Sequence, residues 1–176
     1  MIPLPFSGWS PSRRTWTVAV TVFVADQATK ALAAHWIPYQ SERVVLEGFF
    51  RFVHWGNTGA AWSVFTQRNG WLAAFSCVAM AALWFLRRQF EYHRTGGQLA
   101  LGLLFGGVLG NLVDRLRHDH VVDFLRFYWI RRSGEEIGFP AFNVADIAIS
   151  SAVVLLLWLT WNPVGNGGAA PAPATE

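Results

Sequence analysis

Two aspartates in apolar surroundings are the residues of this sequence best suited to chemistry. Asp123 follows two valines and precedes a phenylalanine, and Asp146 ends the stretch FNVAD. An acid among apolar residues near a membrane is costly, so it needs a partner or a function. The third apolar run ends close to Asp123, and the fourth begins close to Asp146. We therefore expect the two acids on the same side of the membrane, at similar depth.

The chemistry open to two such acids is general acid–base catalysis. Two carboxylates in contact cannot both ionise cheaply, so they share a proton. The ionised one can activate water, and the protonated one can donate to a carbonyl oxygen or a leaving amine. This is aspartyl-protease chemistry, which needs no metal or cofactor. The residues alone leave two alternatives open: a proton- or ion-coupled membrane carrier, and a purely structural polar cluster.

Three further polar residues have spacings that direct them towards these acids. Asn143 lies three residues before Asp146, and Asn111 and Arg115 are four residues apart, so each pair shares one helix face. We expect these side chains to order the acids or to bind a carbonyl group of a substrate.

The composition is typical of an integral membrane protein. Of 176 residues, 53% are hydrophobic and only 14% are charged, and the mean hydropathy is +0.29. Ten tryptophans suit a chain with two bilayer interfaces. The net charge of +3 is small and scattered, which argues against a nucleic-acid partner. The single cysteine, Cys77, excludes an internal disulfide, and the histidines lack ligand spacing, so we predict no metal and no cofactor.

Apolar runs predict four membrane helices in a single membrane domain, residues 1–176, with both termini on one side. Gly102, Gly106 and Gly110 recur every four residues in the third run and line one helix face, where small residues allow close helix approach. The Gly/Ala/Pro-rich end of the chain predicts a disordered tail at about residues 163–176. The predicted helices lie at about residues 16–35, 70–86, 98–116 and 142–161.

The first apolar run contains two charged residues, Asp26 and Lys30. They are four residues apart with the acid first, which is the favourable orientation for a helical ion pair. In lipid such a pair must face protein or water. Two interpretations are open: a structural pair that ties the first helix to the bundle, or a pair whose Lys30 also supports an active site.

A β-hairpin is predicted at about residues 43–55. Glu47 and Gly48 form a turn sequence, flanked by β-branched and aromatic residues. The many aromatic residues have two possible places: against the helices as a fixed apron, or on the membrane surface as a movable cover over a bound peptide. We expect the cover, because a lipid-tethered peptide must enter sideways and later leave. The aromatic residues are Phe49, Phe50, Phe52 and Trp55.

Two segments outside the predicted helices and hairpin are expected to be loops. Asn57 and Gly59 lie in a run of small residues that permits close backbone approach, and Asn57 supplies an amide. Residues 127–141 are polar and predict a second loop. Arginines are dense near residues 13–14 and 87–94 but more widely spread in the opposite loops, so they leave the orientation in the membrane open.

Five short motifs occur in order and carry a family resemblance. With four predicted helices, they closely resemble lipoprotein signal peptidase, the type II signal peptidase of bacteria, over about residues 18–150. Each motif alone is unspecific, but five in order are highly specific. They are DQATK at 26–30, NTGAA at 57–61, GNLVDR at 110–115, VVDF at 121–124 and FNVAD at 142–146.

The resemblance implies a four-helix protein of the bacterial inner membrane, with both termini cytoplasmic and a small β-cradle outside. It implies an endopeptidase that removes the signal peptide from a diacylglyceryl-modified prolipoprotein by cutting before the lipidated cysteine. The enzyme would act without a cofactor, as a monomer in contact with membrane lipid.

The resemblance also assigns roles to individual residues. It places the catalytic acids at Asp123 and Asp146. Asp114 also matches the motif, and we expect it to be structural. The segment at residues 125–141 is long and charged for the family. The residues that would support the site or bind substrate are Asp26, Lys30, Asn57, Gly59, Asn111, Arg115 and Asn143.

Overall fold

The computed structural model describes residues 8–59, 69–89 and 92–162. These residues form four α-helices and one small antiparallel sheet. The last two residues of the motif at 57–61 and the tail predicted at residues 163–176 lie outside the described residues. In chain order the elements are α1 (Pro11–Trp36), β1 (Glu42–Leu46), β2 (Phe50–Asn57), α2 (Asn69–Leu86), a 3-10 turn (Arg87–Gln89), α3 (Thr95–His118), β3 (Val121–Ile130), β4 (Glu136–Gly138) and α4 (Val144–Trp161).

Helix α3 is the centre of the bundle, because α1, α2 and α4 all pack against it. A Cβ atom built on Gly102 or Gly106 would come within 2.7 Å or 2.5 Å of the carbonyl oxygens of Thr15 and Ala19 in α1. No larger residue fits at this distance, so the close approach predicted from the glycine spacing is confirmed.

In the described part of the chain, three helices are long and apolar enough to cross a membrane: α2 with its 3-10 extension, α3 and α4. Helix α1 is long enough, but it carries Asp26 and Lys30 in its interior, where they are 0% and 3% exposed. These charges lower its apolarity, so the fourth span stays a prediction.

Two helices start where a polar side chain caps them. Ser10 accepts a hydrogen bond from the backbone amide of Arg13 at 3.3 Å, and Pro11 follows it. Helix α1 therefore begins before residue 16, the start that apolarity predicted. Asn143 caps α4 in the same way, so that helix begins at Val144.

The sheet has the strand order β1-β2-β3-β4. Strands β1 and β2 form the predicted hairpin, and Gly48 in its turn has a φ of 70°. Strand β2 then pairs with β3, which places Trp55 opposite Asp123. The hairpin is thus bonded to the chain segment that carries one of the two acids, an arrangement that favours the fixed apron over the movable cover.

The prediction of a loop at residues 127–141 is wrong. This segment contains the second half of β3 and all of β4. Its charges suggested solvent exposure, but they pair within the sheet: Glu136 on β4 contacts Arg51 on β2 and Arg126 on β3. Apolar and aromatic residues between these charges provide the strand preference.

Asp123 lies on a strand that the sequence did not predict. Helix α3 ends at His118, and Asp119 adopts a left-handed conformation with a φ of 60° that turns the chain out of the helix. Asp123 therefore lies after the helix, as expected, and on strand β3.

Candidate active site

Asp123 is buried between β2 and the start of α4. Its side chain accepts two hydrogen bonds, at 2.9 Å from the Asn57 amide and at 2.8 Å from the Asn143 amide. Because the residue is only 2% exposed, water cannot replace these donors. The backbone amide of Gly59, where φ is 80°, donates to Asn57 Oδ1 at 2.8 Å and fixes which end of that side chain faces Asp123.

Asp146 lies in the first turn of α4, where a capping box orients it. Asp146 Oδ2 accepts from the backbone amide of Asn143 at 3.2 Å, while Asn143 Oδ1 accepts from the backbone amide of Asp146 at 3.0 Å. The other carboxylate oxygen, Oδ1, accepts from Asn111 Nδ2 at 2.9 Å. This reciprocal arrangement fixes the carboxylate relative to the end of the helix.

Asn143 therefore contacts both acids with one side chain. Its amide nitrogen donates to Asp123, and its amide oxygen caps the helix that carries Asp146. The sequence predicted that Asn143 and Asp146 share a helix face. Instead, Asn143 lies just outside the helix, in extended conformation, and so reaches strand β3 as well.

The two acids are close enough to affect each other's ionisation. Burial, and next the negative charge of Asp146, raise the pKa of Asp123 to about 7, although the hydrogen bonds from Asn57 and Asn143 act in the opposite direction. A carboxyl group with this pKa is about half protonated near pH 7. The pair can therefore contain one protonated and one ionised group, as acid–base catalysis requires.

A buried ion cluster lies beneath the acids. Lys30 Nζ is 2.8 Å from Asp26 Oδ2 and 2.8 Å from Asp114 Oδ2, and all three side chains are at most 4% exposed. Lys30 also donates to Asn111 Oδ1 at 2.9 Å. The predicted pairing of Asp26 with Lys30 is confirmed. Asp114 is a second partner that sequence spacing did not identify.

This cluster holds the backbone next to each acid. Asp26 Oδ1 accepts from the amide of Ala145 at 2.9 Å, and Asp114 Oδ2 accepts from the amide of Val122 at 3.1 Å. Ala145 and Val122 are the residues that immediately precede the two acids in the chain. Since Lys30 binds both carboxylates, one buried cation fixes the starts of α4 and β3 relative to each other.

Arg115 is a charged group of the site whose guanidinium has a donor without a partner in the part of the chain that the structure describes. Its Nη1 donates to the Asn111 carbonyl oxygen at 3.2 Å, while its buried Nε has no hydrogen-bond partner among the described residues. The guanidinium is attracted by the charges of Asp146, Asp114 and Asp123. A free donor at this position can bind a carbonyl oxygen brought by a substrate.

The comparisons with known proteins agree with this geometry. Residues 18–162 match the family model described as Signal peptidase (SPase) II. This chain belongs to the signal peptidase II family. Signal peptidase II is an aspartic endopeptidase that removes signal peptides from prolipoproteins, and it is a bacterial membrane protein.

Individual relatives cover most of the chain. A lipoprotein signal peptidase of Symbiobacterium thermophilum is 38% identical over 139 residues, which are 79% of this chain and 88% of that protein. One of Aeromonas hydrophila is 40% identical over 147 residues, 79% of this chain and 84% of the other. A bacterial membrane enzyme solved by the in meso method at 2.3 Å resolution has a TM-score of 0.72 and 27% identity, covering 90% of this chain and 93% of that one.

The structure brings every residue that the sequence singled out for the site into contact or close to it. Asp114 was expected to be structural, but sequence reasoning missed its pairing with Lys30 and its hydrogen bond from Gln27, which donates to Asp114 Oδ1 at 2.9 Å. One signal was available, because Asp114 lies four residues after Gly110 and continues the glycine-lined face of α3. The backbone amides of Ala145 and Val122 gave no sequence signal.

Proposed function

We propose that Asp123 and Asp146 are the catalytic pair of this signal peptidase II. The observation that carries the proposal is the position of Asn143, which hydrogen-bonds both acids at the junction of β3 and α4. The alternative of an ion-coupled carrier is not favoured, because the relatives of this chain are peptidases. In addition, both acids here are held by fixed donors.

In the proposed mechanism Asp123 starts protonated and Asp146 starts ionised, since the pKa of Asp123 is raised to about 7. Asp146 removes a proton from water, whose oxygen attacks the scissile carbonyl carbon. Asp123 gives its proton to the carbonyl oxygen, which forms a neutral tetrahedral intermediate.

Collapse of that intermediate breaks the carbon–nitrogen bond. Asp146 returns its proton to the leaving amine, and Asp123 recovers a proton from a hydroxyl of the intermediate as the new carboxyl group forms. Both acids end in their starting states. Arg115 binds the carbonyl oxygen through its free donor and stabilises the negative charge that develops there in the transition state.

We infer that the substrate is a diacylglyceryl-modified prolipoprotein, cut immediately before its lipidated cysteine. The acids lie at the end of the bundle where α1 and α3 finish and α4 begins, beside the aromatic sheet. A lipid-anchored peptide presents its scissile bond near a membrane surface, so a site at the end of the helices meets it there.

The proposed topology has four spans with both termini in the cytoplasm and the sheet at the outer face of the inner membrane. The burial of Asp26 and Lys30 supports α1 as the fourth span, because charges that face the bundle interior can be tolerated within a bilayer. We also propose that the enzyme acts as a monomer in direct contact with lipid.

Purified protein in detergent, given lipidated and unlipidated forms of one precursor, tests the proposal. We expect release of the signal peptide from the lipidated form only. Equal cleavage of both forms would contradict the proposed substrate, and cleavage of neither would contradict the proposed function.

A further inference from the structure

A row of phenylalanine rings crosses the sheet close to Asp123. We call Phe50, Phe52, Phe127, Phe142 and Phe139 the aromatic row. Phe50 contacts Phe52 and Phe127, each at a ring-centroid distance of 5.0 Å, Phe127 stacks on Phe142 at 6.0 Å, and Phe142 meets Phe139 at 5.9 Å. The rings therefore form one continuous apolar surface.

The aromatic row shares a sheet face with Asp123. Side chains alternate along a strand, so Asp123, Leu125 and Phe127 point to the same side of β3. Phe50 lies opposite Phe127, and Phe52 lies opposite Leu125, so they point to that side as well. The strand rise places Leu125 about 7 Å and Phe127 about 13 Å from Asp123 along β3.

This face is the open one. Phe52 and Phe127 are each 38% exposed, and Phe139 is 60% exposed. The opposite face is closed, with Val53 at 0% and Tyr128 at 3% exposure. The exposed apolar surface thus begins within two residues of the acid and leads away from it along the strand.

The chemistry of the substrate suggests what covers this surface. In the proposed function, the cysteine that carries the diacylglyceryl group directly follows the scissile bond, so its acyl chains begin only a few bonds from the carbon under attack. We propose that the aromatic row binds the acyl chains of the diacylglyceryl-cysteine. This inference rests on the proposed function and adds a subsite that selects lipidated substrate.

The test compares two synthetic precursors with the same peptide, one with two palmitoyl chains and one with two butyryl chains on the glyceryl group. Wild-type protein and the variant Phe52→Ser/Phe127→Ser are measured in detergent. We expect the variant to raise KM for the palmitoyl substrate about tenfold, because it removes apolar contact, and to leave KM for the butyryl substrate and both kcat values nearly unchanged.

Two controls make the comparison specific. Phe85→Ser removes a ring that is 78% exposed on α2, away from the sheet, and should leave both KM values unchanged. Phe52→Leu/Phe127→Leu keeps an apolar surface and should largely restore KM for the palmitoyl substrate.

The outcomes separate this inference from the function on which it rests. No cleavage of either precursor by the wild-type protein would contradict the proposed function. Cleavage with the same KM ratio in the serine variant and the wild type would overturn the acyl-chain subsite. An unchanged KM ratio in detergent, together with a loss of activity by the serine variant only in reconstituted vesicles, would identify the row as a membrane contact and would also overturn it.

A second measurement needs no substitution in the row. A precursor with a diazirine at the end of one acyl chain is irradiated in the Asp146→Asn protein, which should bind substrate without cutting it. Crosslinks in residues 50–52 and 127–142 are expected. Crosslinks confined to the outer faces of the helices would overturn the proposal, even if the serine variant failed to fold.

Discussion

The amide nitrogen of Asn143 lies 2.8 Å from a carboxylate oxygen of Asp123. The oxygen of the same amide accepts from the backbone of Asp146. The Asn143 side chain therefore fixes Asp123 on β3 relative to the start of α4. Substitution can separate its two roles, the hydrogen bond to Asp123 and the cap of α4.

We predict that Asn143→Ser lowers kcat strongly and destabilises the protein less than Asn143→Ala does, because it keeps the helix cap. Serine is a good helix cap, but its hydroxyl is too short to reach Asp123. Asn143→Ala should lose the cap as well, at a cost of about 1 kcal/mol. Thermal unfolding and turnover of the lipidated precursor check both variants. Full activity of Asn143→Ser would show that the contact with Asp123 is dispensable.

The pKa of Asp123 predicts how activity depends on pH. Burial and the charge of Asp146 raise the pKa of Asp123 to about 7, and in our mechanism this residue must begin protonated. Activity should therefore be high below pH 7 and fall as pH rises through that value. The Asn57 hydrogen bond lowers the pKa of Asp123, so Asn57→Ala should move the fall to higher pH. A rate that rises through pH 7 would instead make Asp123 the base.

Removing the buried cation should destabilise the protein. Lys30→Met leaves Asp26 and Asp114 as uncompensated buried carboxylates, and breaking a buried pair typically costs about 3–5 kcal/mol. Thermal unfolding in detergent measures the loss. An unchanged unfolding temperature would show that the cluster does not stabilise the fold.

A charge-free version of the cluster should recover much of that stability. Replacing only Asp26 and Lys30 would still leave Asp114 without its cation. We expect Lys30→Met/Asp26→Asn/Asp114→Asn to be more stable than Lys30→Met, because asparagine oxygens can still accept from Ala145 and Val122. Turnover of the triple variant then reports whether the charges also serve catalysis.

The pairing within the sheet predicts that the hairpin does not move independently. Spin labels at residues 47 and 133 would report on the β1–β2 turn and the β3–β4 turn, which are joined through β2 and β3. We expect one narrow distance, the same with and without a bound peptide. A broad distribution that narrows when peptide binds would restore the movable cover.

Much of the site could be predicted because its contacts follow local spacing. Asp26 and Lys30 are one helical turn apart, and the glycine face of α3 marks where α1 approaches. The hairpin was predictable from its turn sequence at Glu47 and Gly48. These features depend on residues close together in the chain, where periodicity is informative.

The rest of the fold and of the site depends on contacts between residues that are far apart in the sequence. Arg51 is only 6% exposed because Glu42 and Glu136 pair with it, and nothing in the local sequence shows that such charges are buried. The strand residues from 127 to 138 were therefore predicted to be a loop, and β3 was not predicted. The hydrogen bond from the backbone amide of Val122 to Asp114 likewise depends on the turn after α3. The pattern of apolar residues does not predict that turn.

The central claim is that Asp123 and Asp146 perform the hydrolysis together, and it is tested most directly by turnover of a lipidated precursor. Asp123→Asn and Asp146→Asn nearly preserve side-chain size but remove proton transfer at neutral pH. Each variant should remain folded in detergent, as its thermal unfolding would show, and should lose at least about 10²-fold in kcat. Near-normal turnover by either variant would contradict the assignment of the catalytic pair.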